Sequence, residues 1–291
     1  MKKLFKAALA VAMAATLVAC GGEPKAPIAK AGLGVVSTWK DGQVNSTIVA
    51  LGLDADGKIA YIDLDVAQST PDDAAKAKTE TKEELKEKYG MKDFSPIKKE
   101  WFEQAEAFEN WAKGKTPADV AAVKLSEVNG HMVAKDEADL YAGCTMDISA
   151  FQAAVAKAAA NAVEVNAQTV KLGRTMSNSK GQVNTDLVMV ALDKDGKVIK
   201  AKWDVAQIKA TVTDTKSELK EKYNMKGTSP IGKEWYEQAE AFEAYCAGKT
   251  LAEIAAMPLK DYHGGKAPDG DLATSVTITV DGPLAALAKA K

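Results

Sequence analysis

Two threonines stand where a bulky reagent could reach a side-chain hydroxyl. Thr145 lies six residues after Asp139, and Thr277 lies six residues after Asp271. Ala142, Gly143 and Cys144 precede the first, and Thr274, Ser275 and Val276 precede the second, so little bulk shields either hydroxyl. The apolar residues beyond them predict a short strand. One such spacing would be chance, but the 132 residues that separate Thr145 from Thr277 also separate the only two histidines, His131 and His263. The pattern is an internal repeat, and equivalent placement argues that both histidines are used alike, either at the threonine site or in a structural hydrogen bond near each repeat's end. A zinc site is disfavoured, because no cysteine or second histidine accompanies either at ligand spacing.

The elements that must position these groups also occur twice. Val44 to Leu53 and Lys58 to Val66 are rich in β-branched and aliphatic residues and are separated by Asp54-Ala-Asp-Gly57; Val183 to Leu192 and Lys197 to Val205 repeat this around Asp193-Lys-Asp-Gly196. Strands joined by Asp-Gly turns predict hairpins, so each repeat opens with an antiparallel meander. A calcium loop starting at Asp54 would need glycine and glutamate where Ile59 and Asp65 stand. A polar insertion, Ser69 to Glu80, makes the first repeat five residues longer here and reads as a surface loop.

Thr81 and Thr215 begin capping-box patterns with Glu84 and Glu218, predicting short helices that end near Tyr89 and Tyr223. The best-matched stretch runs from Ser95-Pro-Ile through Lys99-Glu-Trp to Glu109, and again from Ser229-Pro-Ile through Lys233-Glu-Trp to Glu243. Trp101, Ala105, Phe108 and Ala112 fall on one helical face, which reads as core against the meander, with a tryptophan at its start that could border an aromatic cofactor. Gly114 and Gly248 stop these helices, and Thr116 and Thr250 cap the next. Ser149 and Asp281 are expected to N-cap Ala-rich helices over Ala150 to Ala160 and Gly282 to Lys291. The fold class expected is α+β: two tandem homologous domains, each an antiparallel β-meander packed with helices.

Residues 1–19 hold three lysines and a short apolar run that ends before Cys20, the pattern of an export signal with a lipobox. Cys20 would then carry lipid at the head of a tether over 20–30, followed by repeat 1 over 31–160, a linker over 161–168 and repeat 2 over 169–291, each domain large enough to bury a core. Removing the signal leaves 35 basic residues against 40 acidic ones. That balance argues against nucleic acid as a partner. Cys144 and Cys246 occupy non-equivalent positions and read as free, buried thiols.

Nothing here resembles a paired nucleophile and base or a phosphate loop, so redox or group-transfer chemistry would have to come from an added cofactor. The export signal, the repeat of about 130 residues, the Tyr-x-Met-Lys, Ser-Pro-Ile and Lys-Glu-Trp blocks and the terminal Asp-to-Thr element together resemble FMN-binding-domain lipoproteins. The resemblance spans nearly all of the mature chain. It implies that an ApbE-type flavin transferase recognises Asp139 and Asp271 and joins FMN through its phosphate to Thr145 and Thr277, two covalent FMN per chain. Ala142, Cys144 and Val276 depart from the family's Ser/Thr-Gly/Ser-Ala-Thr run. The implied protein is an electron carrier, more than a turnover enzyme, held at the extracytoplasmic face of the membrane by lipid on Cys20. It would take electrons from a quinol-linked membrane donor and pass them to extracellular acceptors. The alternative is a surface lipoprotein that binds a solute or partner and carries no redox cofactor.

Overall fold

A computed structural model describes residues 28–290. The signal over 1–19, Cys20 and the tether up to residue 27 lie outside the described residues; Ile28 to Lys30, read as the end of the tether, already belong to the first strand.

The first half opens with β1 (Ile28–Lys40), β2 (Gln43–Leu53) and β3 (Ile59–Ser69), paired in sequence and antiparallel. Asp54 sets the β2–β3 turn: its Oδ1 accepts the amides of Asp56 at 2.9 Å and Lys58 at 2.8 Å, while Gly57 takes φ +75°. This is an Asx-stabilised hairpin turn. Next come α1 (Lys82–Leu85), a 3-10 turn over Lys86–Tyr89, α2 (Trp101–Ala112), α3 (Pro117–Ala122), a small hairpin of β4 (Ser126–Val128) and β5 (His131–Val133), α4 (Ala138–Tyr141) and α5 (Ser149–Ala160). The capping box at Thr81 forms as expected, but the helix it starts lasts one turn before the chain breaks at Lys86, φ +49°.

The segment expected to link the halves contains β6 (Val163–Ala167), which pairs antiparallel with β1 and gives the first sheet the order β3-β2-β1-β6. The second half repeats the order of the first: β7 (Thr169–Ser179), β8 (Gln182–Leu192), β9 (Val198–Ile208), α6 (Lys216–Leu219), a 3-10 turn over Lys220–Tyr223, α7 (Trp235–Cys246), α8 (Leu251–Ala255), a hairpin of β10 (Leu259–Tyr262) and β11 (Gly265–Pro268), a 3-10 turn over Gly270–Thr274 and α9 (Asp281–Ala288). The fold class is α+β with antiparallel sheets, as the strand patterns predicted.

Burial shows why the central strands read as near-continuous apolar runs. Val49, Leu51 and Leu53 face the helices of the first half, and Val188, Val190 and Leu192 face those of the second. The alternate residues, including Val44, Ile48 and Ala50 from β2 and Val183, Leu187 and Met189 from β8, meet in a third cluster between the sheets. The layers therefore run helices, sheet, sheet, helices, with both faces of each sheet covered.

The contacts between halves reciprocate as they would across a two-fold interface. Lys157 on α5 pairs with Glu218 on α6, and Lys289, just after α9, pairs with Glu84 on α1 at 2.7 Å. Within each half, Gly34 lets α5 lie close on β1 and Gly173 lets α9 lie close on β7, because an added Cβ would come within 2.3 Å of the Ala154 carbonyl oxygen or 2.0 Å of that of Ala286. Other contacts have no mate. Arg174, the only arginine in the sequence, is buried on β7, with Nε 2.5 Å from Asp65 Oδ2, Nη1 2.8 Å from Asp63 Oδ1, and an ion pair to Glu83. The polar insertion also serves this interface: Asp72 Oδ1 accepts the Gly181 amide at 2.8 Å, and Ser69 Oγ donates to Asn178 at 2.7 Å.

Candidate functional site

Each candidate threonine is held by a glutamine from the long helix of its own half. Ser95 is buried, and its Oγ accepts a hydrogen bond from Gln104 Nε2 at 3.0 Å; the same nitrogen donates to the Lys99 carbonyl at 3.2 Å. Held in this way, Gln104 Oε1 accepts from the Thr145 amide at 2.9 Å and from Thr145 Oγ1 at 3.3 Å. The second half repeats the relay. Gln238 Nε2 donates to Ser229 Oγ at 3.1 Å, and its Oε1 accepts from the Thr277 amide at 2.7 Å, from Thr277 Oγ1 at 3.1 Å and from the Ile278 amide at 3.2 Å.

The consequence for the hydroxyl is geometric. Donating its proton to the glutamine fixes the rotamer and leaves the oxygen lone pairs for another group. If the oxygen were esterified the hydroxyl bond would be lost, and the amide bond would still hold the loop. Neither threonine lies on a strand: both sit in irregular backbone between a short helical turn and the last helix of the half. The expected strand fails because the amides of Thr145 and Thr277 are taken by side chains, which leaves no ladder to join.

Both residues preceding the threonines are buried, Cys144 at 1% and Val276 at 0% exposure. Variation from cysteine to valine there is a matter of core packing and does not touch the hydroxyl side. Cys144 and Cys246 are both free and buried, and burial pushes their thiols up to about 11 and about 12. Such thiols are inert.

Thr145 opens on a cleft of about 930 Å³. Its lining includes Trp101, Tyr89, Lys82, Ser95, Gln104, His131 and Asp147. Phe94, 88% exposed, also lines it. Trp101 meets Phe151 edge-on at 6.3 Å, so the tryptophan belongs to the core and to the cleft together. Its counterpart Trp235 packs on Trp203 at 5.0 Å.

The histidines do not occupy equivalent places. His131 begins β5 after a turn at Asn129 and Gly130, with φ +52° and +82°, whereas His263 and Gly264 themselves form the matching turn, with φ +48° and +80°. The second half is two residues shorter between hairpin and threonine, so the equal sequence offset does not survive in three dimensions. Asp139 and Asp271 are exposed, on α4 and on the last 3-10 turn, and Asp139 does not line the cleft. Ser149 and Asp281 are not N-caps: they are the first residues of α5 and α9, and Asp147 Oδ1 accepts the Ser149 amide at 2.9 Å.

A second, smaller cleft of about 390 Å³ lies beside α2 in the first half, lined by Tyr61, Asp63, Phe102 and Glu109. Glu243, the counterpart of Glu109, is paired with Lys202 at 3.1 Å, but the counterpart of Lys202 is Asp63. Burial therefore pushes the Glu109 carboxyl up to about 8, although it accepts the Leu64 amide. An acid whose folded value is raised costs stability as pH rises from its unfolded value, about 4.5, through about 8. Glu109→Gln keeps the acceptor and removes the charge. Its thermal midpoint should match that of the wild type near pH 4.5 and exceed it at pH 9; a constant difference across that range would contradict the assignment.

The fold and the site define an α+β protein that presents two glutamine-anchored threonines, the first beside an aromatic cleft. No protein-family model matches the chain, and no solved structure does. The chain is similar to a chlorophenol reductase of Desulfitobacterium hafniense, 30% identical over a region that takes in 33% of this chain and 40% of the relative. It thus spans well under two thirds of that relative's length.

Gln104, Gln238, Ser95 and Ser229 were not singled out from the sequence. The signal was there in their recurrence inside the best-matched blocks, but a glutamine on the buried face of a helix gives no sign of which distant loop it holds.

Proposed function

We propose that this protein is an extracytoplasmic flavoprotein, lipid-anchored through Cys20, that carries one FMN on Thr145 and one on Thr277 and relays electrons. The observation that carries this reading is the Ser-Gln-Thr relay, present in both halves with the same atoms and similar distances. In each half the relay fixes the hydroxyl of a partly exposed threonine, the arrangement an acceptor side chain needs. The residues of the first cleft fit the group: Tyr89 and the largely buried Trp101 offer aromatic surface, Lys82 a cation, and the volume lies within the range of cofactor sites. The name of the reductase to which the chain is similar supports redox chemistry.

When bound, the flavin supplies one- and two-electron transfer, and the protein supplies placement and electrostatics. A covalent link keeps the cofactor at high local concentration outside the membrane whatever its affinity. An ApbE-type transferase attaches it, a quinol-linked membrane donor reduces it, and extracellular acceptors take the electrons.

Intact mass tests this directly, with the signal-less protein co-expressed with a flavin transferase. Two FMN increments are expected in the wild type, one in Thr145→Ala, one in Thr277→Ala and none in the double variant. No increment, under conditions that flavinylate a control protein, would overturn the reading and leave a solute- or partner-binding lipoprotein in its place.

A further inference from the structure

Each half holds a lysine against aromatic rings at the start of its first short helix. Lys82 Nζ lies 4.9 Å from the centroid of Tyr89 and 5.7 Å from that of Trp101; Lys216 Nζ lies 5.0 Å from Tyr223 and 5.4 Å from Trp235. Lys82, Tyr89, Trp101 and Thr145 line one cleft. Lysine is a flexible, strongly hydrated side chain, and an exposed position would normally let it extend into water. Here the same folded-in placement occurs twice, on capping boxes of the same geometry.

We propose that Lys82 is a charge-balancing residue, whose ammonium group offsets the negative charge that a planar redox ring on Thr145 gains when it is reduced. The inference rests on the flavoprotein reading above. A quinol-class donor gives up two electrons and two protons and becomes a quinone. The ring takes both electrons and one proton, a net gain of one negative charge, and the other proton goes to solvent or to a neutral lysine amine. A cation beside that charge, in a partly desolvated cleft, favours the reduced state over the oxidised one.

Burial pushes the Lys82 ammonium down to about 8 against the pull of the Asp65 charge. The groups that face this cleft or act on the lysine are Asp65 from β3, Tyr89 from the 3-10 turn, Lys40 from β1, His131 from β5, Tyr141 from α4 and Asp147 from the loop before α5. A negative ring raises the lysine's value, so above about pH 8 reduction draws one extra proton onto Lys82. The midpoint potential should therefore fall more steeply with pH above that point.

The test uses the flavinylated Thr277→Ala chain, which holds one FMN at Thr145, with Lys82→Met and Lys82→Arg added in turn. Intact mass reports attachment, and dithionite titration at pH 6 to 10 reports the midpoint potential. Lys82→Met should keep the FMN increment, shift the reduced-to-oxidised balance at least about tenfold toward the oxidised form, about 30 mV for a two-electron couple, and lose the steeper slope above pH 8. Lys82→Arg should keep the potential at pH 7 and also lose the break, because arginine does not titrate in this range. No FMN on the Thr277→Ala parent would overturn the flavoprotein reading itself. FMN present with an unchanged potential and an unchanged pH break in Lys82→Met would overturn the lysine assignment alone. Should Lys82→Met not fold, a break retained in Lys82→Arg would overturn it equally.

Discussion

Replacing Arg174 by methionine is expected to lower the unfolding free energy by about 3–5 kcal/mol, the usual result of removing one partner from a buried ion pair. The arginine is 4% exposed, and the Asp65 carboxylate it meets at 2.5 Å is fully buried. Methionine can fill the volume, but it leaves Asp65 Oδ2 without its cation on a strand that cannot move toward water. The contrast is Lys289→Met, which breaks the pair with Glu84 at 2.7 Å; Lys289 is 46% exposed there, so the expected loss is about 0–1 kcal/mol. Urea denaturation of the two variants beside the wild type measures both. Equal losses would mean that the Arg174 cluster contributes no more than a surface pair.

Gln104→Leu and Gln238→Leu are the variants expected to affect attachment most. Leucine is close to glutamine in volume but accepts no hydrogen bond, so the Thr145 or Thr277 amide and hydroxyl lose their acceptor at about 1–3 kcal/mol. The loop then has no bond holding the hydroxyl in place, and transfer to a misplaced nucleophile slows by roughly 10- to 100-fold. Each variant should lose its own FMN increment in a timed reaction with the transferase while the other half labels normally. Gln104→Glu retains an acceptor for Thr145 but cannot donate to Ser95 Oγ or the Lys99 carbonyl, and it should fall between leucine and wild type. Labelling of Gln104→Leu at the wild-type rate would show that the relay serves the fold and not the acceptor.

The meanders, the capping boxes and the apolar face of α2 were readable in order along the chain because each rests on neighbours within a few residues. Asp54 finds its turn partners at Asp56 and Lys58, and Thr81 finds Glu84. The sequence by itself also determined which threonines to examine, since doubling in one chain separates a kept pattern from a chance spacing. It misplaced what depends on register over longer spans. An offset of 132 residues aligned the two histidines, but a two-residue difference between hairpin and threonine puts His263 in the turn position of Asn129.

Three features were decided only in the tertiary structure. The bond between Gln104 and Thr145 spans 41 residues and its mate in the second half spans 39; nothing local to a glutamine indicates such a partner. The third core, between the sheets, needs both halves folded, because alternation along β2 and β8 shows that two faces are apolar and not what covers them. Arg174 is the clearest case. In the sequence it is one cation on a strand, and only the packing of β7 against β3 and α1 makes it a buried tie between the halves, because burial turns a charge that would be nearly neutral for stability at the surface into one that must be matched.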